Sequence, residues 1–516
     1  MLECSHLSAV LADGTPLFTD LSFTLNEGDR MALVGEEGDG KSTLLKILAG
    51  ETLDYVQITG FFHTDWTIAR LPQQIEPAWL SQPPMDYLLK ENPDTDIPPE
   101  AWAQCPALAR TASELGFDQL YSETPIATLS GGEKVRLMLL KIIHKDPDCY
   151  FLDEPANDLD LDTLAWLENW ITTCRQPVLM VSHDVHLIRT CARTILHLEL
   201  RDKKTKPVWT LFQGTYDDYI AARRLQRQKQ ARQARSDKLA YQKQKARLNN
   251  LYNKVNGKLN TVSRQAPHKG QVLKKKMKSV LSSQQNLERT ERTRTDSAEE
   301  EISFWLPDVP FPPGKKIIDR TMEVSVADRP LVAPFALSLY GPVRLGITGP
   351  NGCGKTTLLK QLYQILQDNP ALHAGWMPQD YDSAFHTSDT PITFLQRFCD
   401  DVTLLRTRLG SLRFTPREME QSVFDLSGGQ KAKLILASLA LRQCDVLLLD
   451  EPTRNLSPLS VHVLIQALED CPCALIAVSH DRAFLDQLFD RRASIRQGKW
   501  HWDSMEKSVT EGASMV

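Results

Sequence analysis

"VRLGITGPNGCGKTTLLK" (residues 343–360) sets a strand-like apolar run against a glycine-rich loop and then a helix-forming run. Between them stand Gly349, Pro350, Asn351, Gly352, Cys353, Gly354, Lys355, Thr356 and Thr357. The pattern G-x-x-x-x-G-K-[ST], after a strand and before a helix, aims backbone N–H groups and a helix N-terminus at one point, which suits a phosphate. Lys355 would reach the β/γ-phosphates, and Thr356 would offer its hydroxyl to Mg²⁺. "RMALVGEEGDGKSTLLK" (30–46) repeats the arrangement, with Gly35, Glu36, Glu37, Gly38, Asp39, Gly40, Lys41, Ser42 and Thr43 in the matching places. With average residue usage, one chance match in a chain this long is on the order of one in a hundred. Two in matched context indicate two nucleotide sites. The acids of the first loop carry the same charge as phosphate. Because the backbone does most of the cradling in such loops, Glu36, Glu37 and Asp39 are expected to point outward.

The repeat extends well beyond the loops. Residues 11–46 match 326–360, and three later motifs recur in the same order. "LSGGE" (129–133) and "LSGGQ" (426–430) each precede a helical run. Ser130, Gly131 and Gly132, and likewise Ser427, Gly428 and Gly429, offer unobstructed donors for a second anion site in each half. "YFLDEP" (150–155) and "VLLLDEP" (446–452) are apolar runs ending in carboxylates, as a buried parallel strand of an α/β sheet does at its ligand-binding end. Asp153 and Asp450 would hold Mg²⁺, while Glu154 and Glu451 would polarise an attacking water. "SHD" (182–184 and 479–481) follows an apolar strand each time, placing His183 and His480 near a γ-phosphate or its water. The chain thus reads as two homologous α/β domains, 1–220 and 318–505, around a linker at 221–317, with a short polar tail at 506–516.

Composition narrows the setting. The ten cysteines include no Cys-x-x-Cys pair, and Cys471 with Cys473 fits no standard zinc spacing, so buried thiols in a reducing cytoplasm are expected. No apolar run approaches the roughly 20 residues needed to span a bilayer. The net charge of −5 conceals a segregation: residues 221–290 hold 19 Lys and Arg against only Asp237 and Glu288. Residues 217–256 lack Pro and Gly, predicting a helix about 60 Å long. Breaks are expected at Asn256–Gly257 and Pro267–Gly270, with a returning helix over 271–293. Arg264, His268, Lys269, Lys274, Lys275, Lys276 and Lys278 cluster at the tip and second arm of this hairpin. Such density suits a nucleic-acid phosphate backbone, and with only Tyr241 and Tyr252 nearby, structured RNA fits better than a stacked single strand.

Phosphate loop, LSGG signature, acidic strand and SHD, in that order and twice over, resemble the ATP-binding cassette superfamily. The resemblance implies two composite ATP sites, each built from the phosphate loop of one half and the signature of the other. Site I would join Lys41, Ser42, Asp153, Glu154 and His183 to Ser427, Gly428 and Gly429. Site II would join Lys355, Thr356, Asp450, Glu451 and His480 to Ser130, Gly131 and Gly132. The family's magnesium-directed glutamine corresponds to Gln73 in "LPQQ", with Gln74 as an alternative, and to Gln379 in "MPQD". Ala12 and Ala327 stand near where the family usually places an adenine-stacking aromatic, so a preference for ATP comes from the resemblance alone. After the catalytic glutamates, "PANDLD" is close to the family's usual D-loop, whereas "PTRNLS" places Ser457 opposite Asp160. This departure and the acidic loop both fall on site I, so site II is expected to be the ordinary hydrolytic site and site I slower or regulatory.

Two fused cassettes with a basic helical linker and no membrane span resemble the ABC-F proteins. That implies a cytoplasmic ATPase using ATP and Mg²⁺, working as a monomer through its own cassette pair. Its partner would be the ribosome, bound at the tRNA exit site with the linker reaching toward tRNA and the peptidyl-transferase centre, in a translation factor or an antibiotic-protection protein. The alternative is a tandem ATPase energising a separate membrane transporter.

Overall fold

Short, fully buried strands decide the architecture. Cys149–Asp153, Val178–Val181, Val446–Asp450 and Ala474–Val478 are buried along their full length, as parallel strands covered on both faces must be. The computed structural model describes the chain except residues 13, 202–203, 261–270, 273, 284, 287–301, 327–328 and 504–516. It divides into two units, one comprising 1–200, 207–216 and 301–516, the other 201–206 and 217–300.

Within the first unit each half carries a six-stranded sheet of the same order. In the first half the sequence across the sheet is Ile68–Leu71, Cys149–Asp153, Val178–Val181, Arg30–Val34, Thr194–Arg201 and Lys206–Gln213. In the second it is Ala374–Met377, Val446–Asp450, Ala474–Val478, Arg344–Thr348, Arg491–Arg496 and Lys499–Asp503. Pairing among the first five strands of each sheet is parallel. The phosphate-loop strand and the acidic strand therefore flank the strand leading to SHD, and all three open at their carboxyl ends onto one edge, the usual ligand side of such sheets. Antiparallel strands complete each half: Pro16–Leu25, Leu2–Leu11 and Val56–Thr64 in the first, Lys316–Val326 and Arg329–Tyr340 in the second.

Each phosphate loop turns into its helix, Lys41–Leu48 or Lys355–Gln367, through a glycine with positive φ, Gly40 at 85° and Gly354 at 102°. A side chain at either would be strained by the backbone angle and would press on Leu17 or Val324 at 3.1 Å.

Residues 302–317, expected in the linker, group with the second half, where Phe304 and Phe311 are buried in its cores. Most of the described part of the second unit is the helix Tyr216–Asn260, about 68 Å long. It continues through Asn256 and Gly257, contrary to the expected break, because one glycine costs a helix only about 1 kcal/mol and 40 helix-forming residues precede it. Residues 274–283 are also helical. Among the described residues no helix is long and apolar enough to cross a membrane. All ten cysteines are free thiols; six are buried, whereas Cys105, Cys174, Cys353 and Cys399 are partly exposed, contrary to expectation.

Candidate functional site

The two halves of the first unit meet face to face, and the paired motifs converge across that interface. Site II encloses a cavity of about 490 Å³. Ser130, Gly131, Gly132 and Asp158 line it from the first half; Lys355, Thr356, Gln379, Asp450, Glu451 and His480 line it from the second. The phosphate loop is anchored across the interface by Asn351, whose Nδ2 donates to the Asp158 carbonyl at 2.5 Å. Arg454 pairs with the Asp158 carboxylate at 2.6 Å.

Polar atoms in this cavity await a partner. Asp450 Oδ1 and Oδ2, Glu451 Oε1 and His480 Nδ1 are buried without a hydrogen bond. Since buried polar groups are nearly always paired, orphans gathered at one cavity mark a ligand-shaped site. Burial pushes the Asp450 carboxyl up to about 6; burial and the Asp450 charge push Glu451 up to about 8. Burial and the Lys355 ammonium lower His480 to about 4. Two carboxylates facing a buried lysine and a threonine hydroxyl form a donor set suited to Mg²⁺ and a polyphosphate.

The catalytic-position glutamates have a feature no motif announces. Glu154 and Glu451 both have positive φ, 54° and 51°, uncommon for a non-glycine residue. Their N–H groups donate to Val181 and Val478 on the neighbouring strand at 2.9 Å. The backbone turn aims each carboxylate away from its own strand, toward the SHD histidine.

Site I brings the same residue types together but satisfies them internally. Ser42 Oγ donates to Asp153 Oδ1 at 3.0 Å, and Gln73 Nε2 reaches Ser42 Oγ at 3.3 Å and Asp153 Oδ1 at 3.4 Å. Of the two candidate glutamines, Gln73 is the one directed into the site. Glu154 accepts from the His183 N–H at 2.9 Å and pairs with His183 Nε2 at 3.0 Å, whereas the same contacts of Glu451 are longer, 3.3 Å to the His480 N–H and 3.6 Å to His480 Nε2. Burial disfavours charge on both partners, but their mutual attraction outweighs it, holding Glu154 below its ordinary range and His183 above. His183 Nδ1 also contacts the Leu456 carbonyl of the facing half at 2.6 Å.

The acids of the first loop do not point outward. Glu36 and Asp39 are buried, and the Glu37 side chain is only 10% exposed. Asp39 Oδ2 accepts the Glu36 N–H at 2.7 Å, and burial pushes this carboxyl up to about 7. Glu36 and Glu37 reach the second half, where Lys433 meets them at 2.8 and 3.3 Å. Burial opposes the charge on Glu36, but Lys433 and Ser457 overcome it and hold the carboxyl far below the usual range. An outward orientation was expected because the facing surface cannot be read from the loop alone. In both loops the lysine folds back: Lys41 Nζ donates to the Gly35 and Glu36 carbonyls, Lys355 Nζ to those of Gly349 and Pro350.

The signature serines cap helices Gly131–Ile143 and Gly428–Leu441, each in a capping box with Glu133 or Gln430. Their glycines permit close approach: a Cβ on Gly132 would lie 2.6 Å from the Asp158 carbonyl oxygen, and one on Gly429 would lie 2.3 Å from Glu37 Cδ. Sequence reasoning missed Lys433, Ser460 and Arg454. The signal for Lys433 was its offset of six from Ser427, the same that separates Arg136 from Ser130.

In the second unit Lys274, Lys275, Lys276 and Lys278 are exposed. Arg264, His268 and Lys269 lie outside the described residues, as do Ala327 and the tail; Ala12 is exposed.

The family described as ABC transporter matches residues 18–157 and 332–454. Similar proteins include Putative ATP-binding protein YdiF of Bacillus subtilis (strain 168), 28% identical over 540 residues, with 95% of this chain and 79% of the relative covered. Probable ATP-binding protein YbiT of Escherichia coli O157:H7 is 29% identical over 524 residues, covering 92% of each chain. ABC transporter F family member 5 of Arabidopsis thaliana is 24% identical, covering 94% of this chain and 73% of the relative. Among solved structures, the archaeal ribosome recycling factor aABCE1, in complex with ribosomal stalk protein aP1, shares the fold with a TM-score of 0.59 at 18% identity, covering 96% and 89% of the two chains.

Proposed function

This chain belongs to the ABC transporter family and is of the ABC-F type, and on that premise we propose that it is an ATP-hydrolysing protein that acts on the ribosome. The observation that carries the ATPase reading is site II, where four buried polar atoms without a hydrogen bond stand on residues of a cavity lined from both halves. Lys355 and the amides of residues 351–356 would hold the phosphates, with Ser130, Gly131 and Gly132 approaching from the facing half. Thr356, Asp450 and Gln379 would hold Mg²⁺, which when bound neutralises phosphate charge. Glu451 would take the proton of an attacking water, and His480 would orient that water. Site I offers the corresponding residues Lys41, Ser42, Gln73, Asp153, Glu154 and His183.

Two observations support the ribosomal reading. One is the basic helical unit, with exposed Lys274, Lys275, Lys276 and Lys278, suited to an RNA backbone. The other is the shared fold with a ribosome recycling factor and with ABCE1 in a ribosome-bound assembly with Pelota. In this reading the protein sits at the tRNA exit site, and ATP binding closes the cassettes on the ribosome while hydrolysis releases them. The test is Glu154→Gln with Glu451→Gln in one chain. Retained ATP binding, lost turnover, accumulation in ribosomal fractions and inhibited cell-free translation are expected. A double variant that binds ATP but neither sediments with ribosomes nor slows translation would sink the ribosomal role and favour a transport ATPase.

A further inference from the structure

Two halves that share their motifs place one counter-ion differently. In the first half Arg136 pairs with Asp160 of the same half at 2.6 Å. The equivalent positions of the second half are Lys433 and Ser457, so the cation there has no carboxylate in its own D-loop. It finds Glu36 and Glu37 instead, projecting from the opposite half where the second loop has Pro350 and Asn351. Ser457 Oγ donates to Glu36 at 2.6 Å, its N–H donates to Glu37 at 2.9 Å, and Ser460 Oγ donates to both Glu36 oxygens at 3.0 Å. Glu36, Glu37, Lys433 and Ser457 thus form one connected change that moves a counter-charge from within a half to across the interface.

We propose that site I is a charge latch, in which Lys433, Ser457 and Ser460 grip the Glu36 and Glu37 carboxylates in the manner of a bound anion. This side of the interface is closed without nucleotide, and ATP-dependent opening and closing is confined to site II. The inference rests on the reading that site II binds ATP. A buried ion pair repays its dehydration only when its remaining lone pairs are satisfied, and three serine donors do so here. Glu37 lies against Gly429, the signature glycine whose counterpart Gly132 lines the site II cavity. Three further ion pairs across the interface have the same polarity: Asp158, Glu168 and Glu199 of the first half pair with Arg454, Arg482 and Arg413 of the second.

Hydrogen–deuterium exchange on the full chain, with and without ATP, tests this by comparing residues 428–434 with 131–137. In wild type the site I segment should be protected without nucleotide and unchanged by ATP, while the site II segment gains protection roughly tenfold or more on ATP addition. Lys433→Met and Glu36→Gln/Glu37→Gln should each lose site I protection without nucleotide, and Lys433→Arg should retain it. Site I protection that appears only with ATP, or that survives Lys433→Met, overturns the latch. If ATP fails to protect the site II segment, the nucleotide reading itself fails, which separates the two outcomes.

Discussion

Removing the two catalytic-position carboxylates one at a time should produce unequal losses. In Glu451→Gln the change falls on a carboxylate that lines the site II cavity and is held only loosely, by the His480 N–H at 3.3 Å and Nε2 at 3.6 Å. A positioned general base typically contributes 10²–10⁴ in rate, so turnover should fall by that factor, about 2.7–5.5 kcal/mol of barrier. In Glu154→Gln the change falls on a group already engaged by the His183 N–H and Nε2 at 2.9 and 3.0 Å. Glutamine keeps an acceptor for the backbone N–H and loses only the charge of the pair, a cost of about 1.5–3 kcal/mol in local stability. If site I does not turn over, the rate should change less than about twofold. Steady-state phosphate release, measured with and without ribosomes, reads both variants directly. Equal losses would refute the asymmetry, because two equivalent hydrolytic sites predict the same fall for each.

Other expectations concern packing, pH and salt. Gly132→Ala places a methyl carbon 2.6 Å from the Asp158 carbonyl that accepts Asn351; overpacking of about 1–3 kcal/mol should weaken ATP affinity roughly 5- to 150-fold, and unchanged binding of a fluorescent ATP analogue would contradict it. Asp39 has a folded-state pKa raised to about 7 against about 3.9 when unfolded, so between those values the folded chain holds more protons and stability falls as pH rises. Asp39→Asn should therefore gain stability over wild type between pH 4 and 7, by at most about 4 kcal/mol at pH 8; parallel urea midpoints across that range would show the buried carboxyl is not titrating. Reversing Lys274, Lys275 and Lys276 to Glu should weaken ribosome binding most at low salt and flatten its salt dependence by about 2–3 in slope; an unchanged slope would make those lysines a spacer.

The chain order of motifs, read alone, determined the fold class, the presence of two like halves and the residues that line the site II cavity. It did so because glycine at a positive φ, a lysine beside it and carboxylates ending an apolar strand are local requirements that leave few other sequences able to meet them. Gln73 over Gln74, and a helix that runs through Gly257, were settled by packing and by length, which no short motif encodes. The direction of Glu36 and Glu37 was decided only by tertiary structure. Their loop permits either orientation, and the choice depends on a lysine 396 or 397 positions away whose own D-loop carries Ser457 instead of an aspartate. Charge placement across an interface is a property of both surfaces together, so the acidic loop acquires its meaning only once the second half is folded against the first.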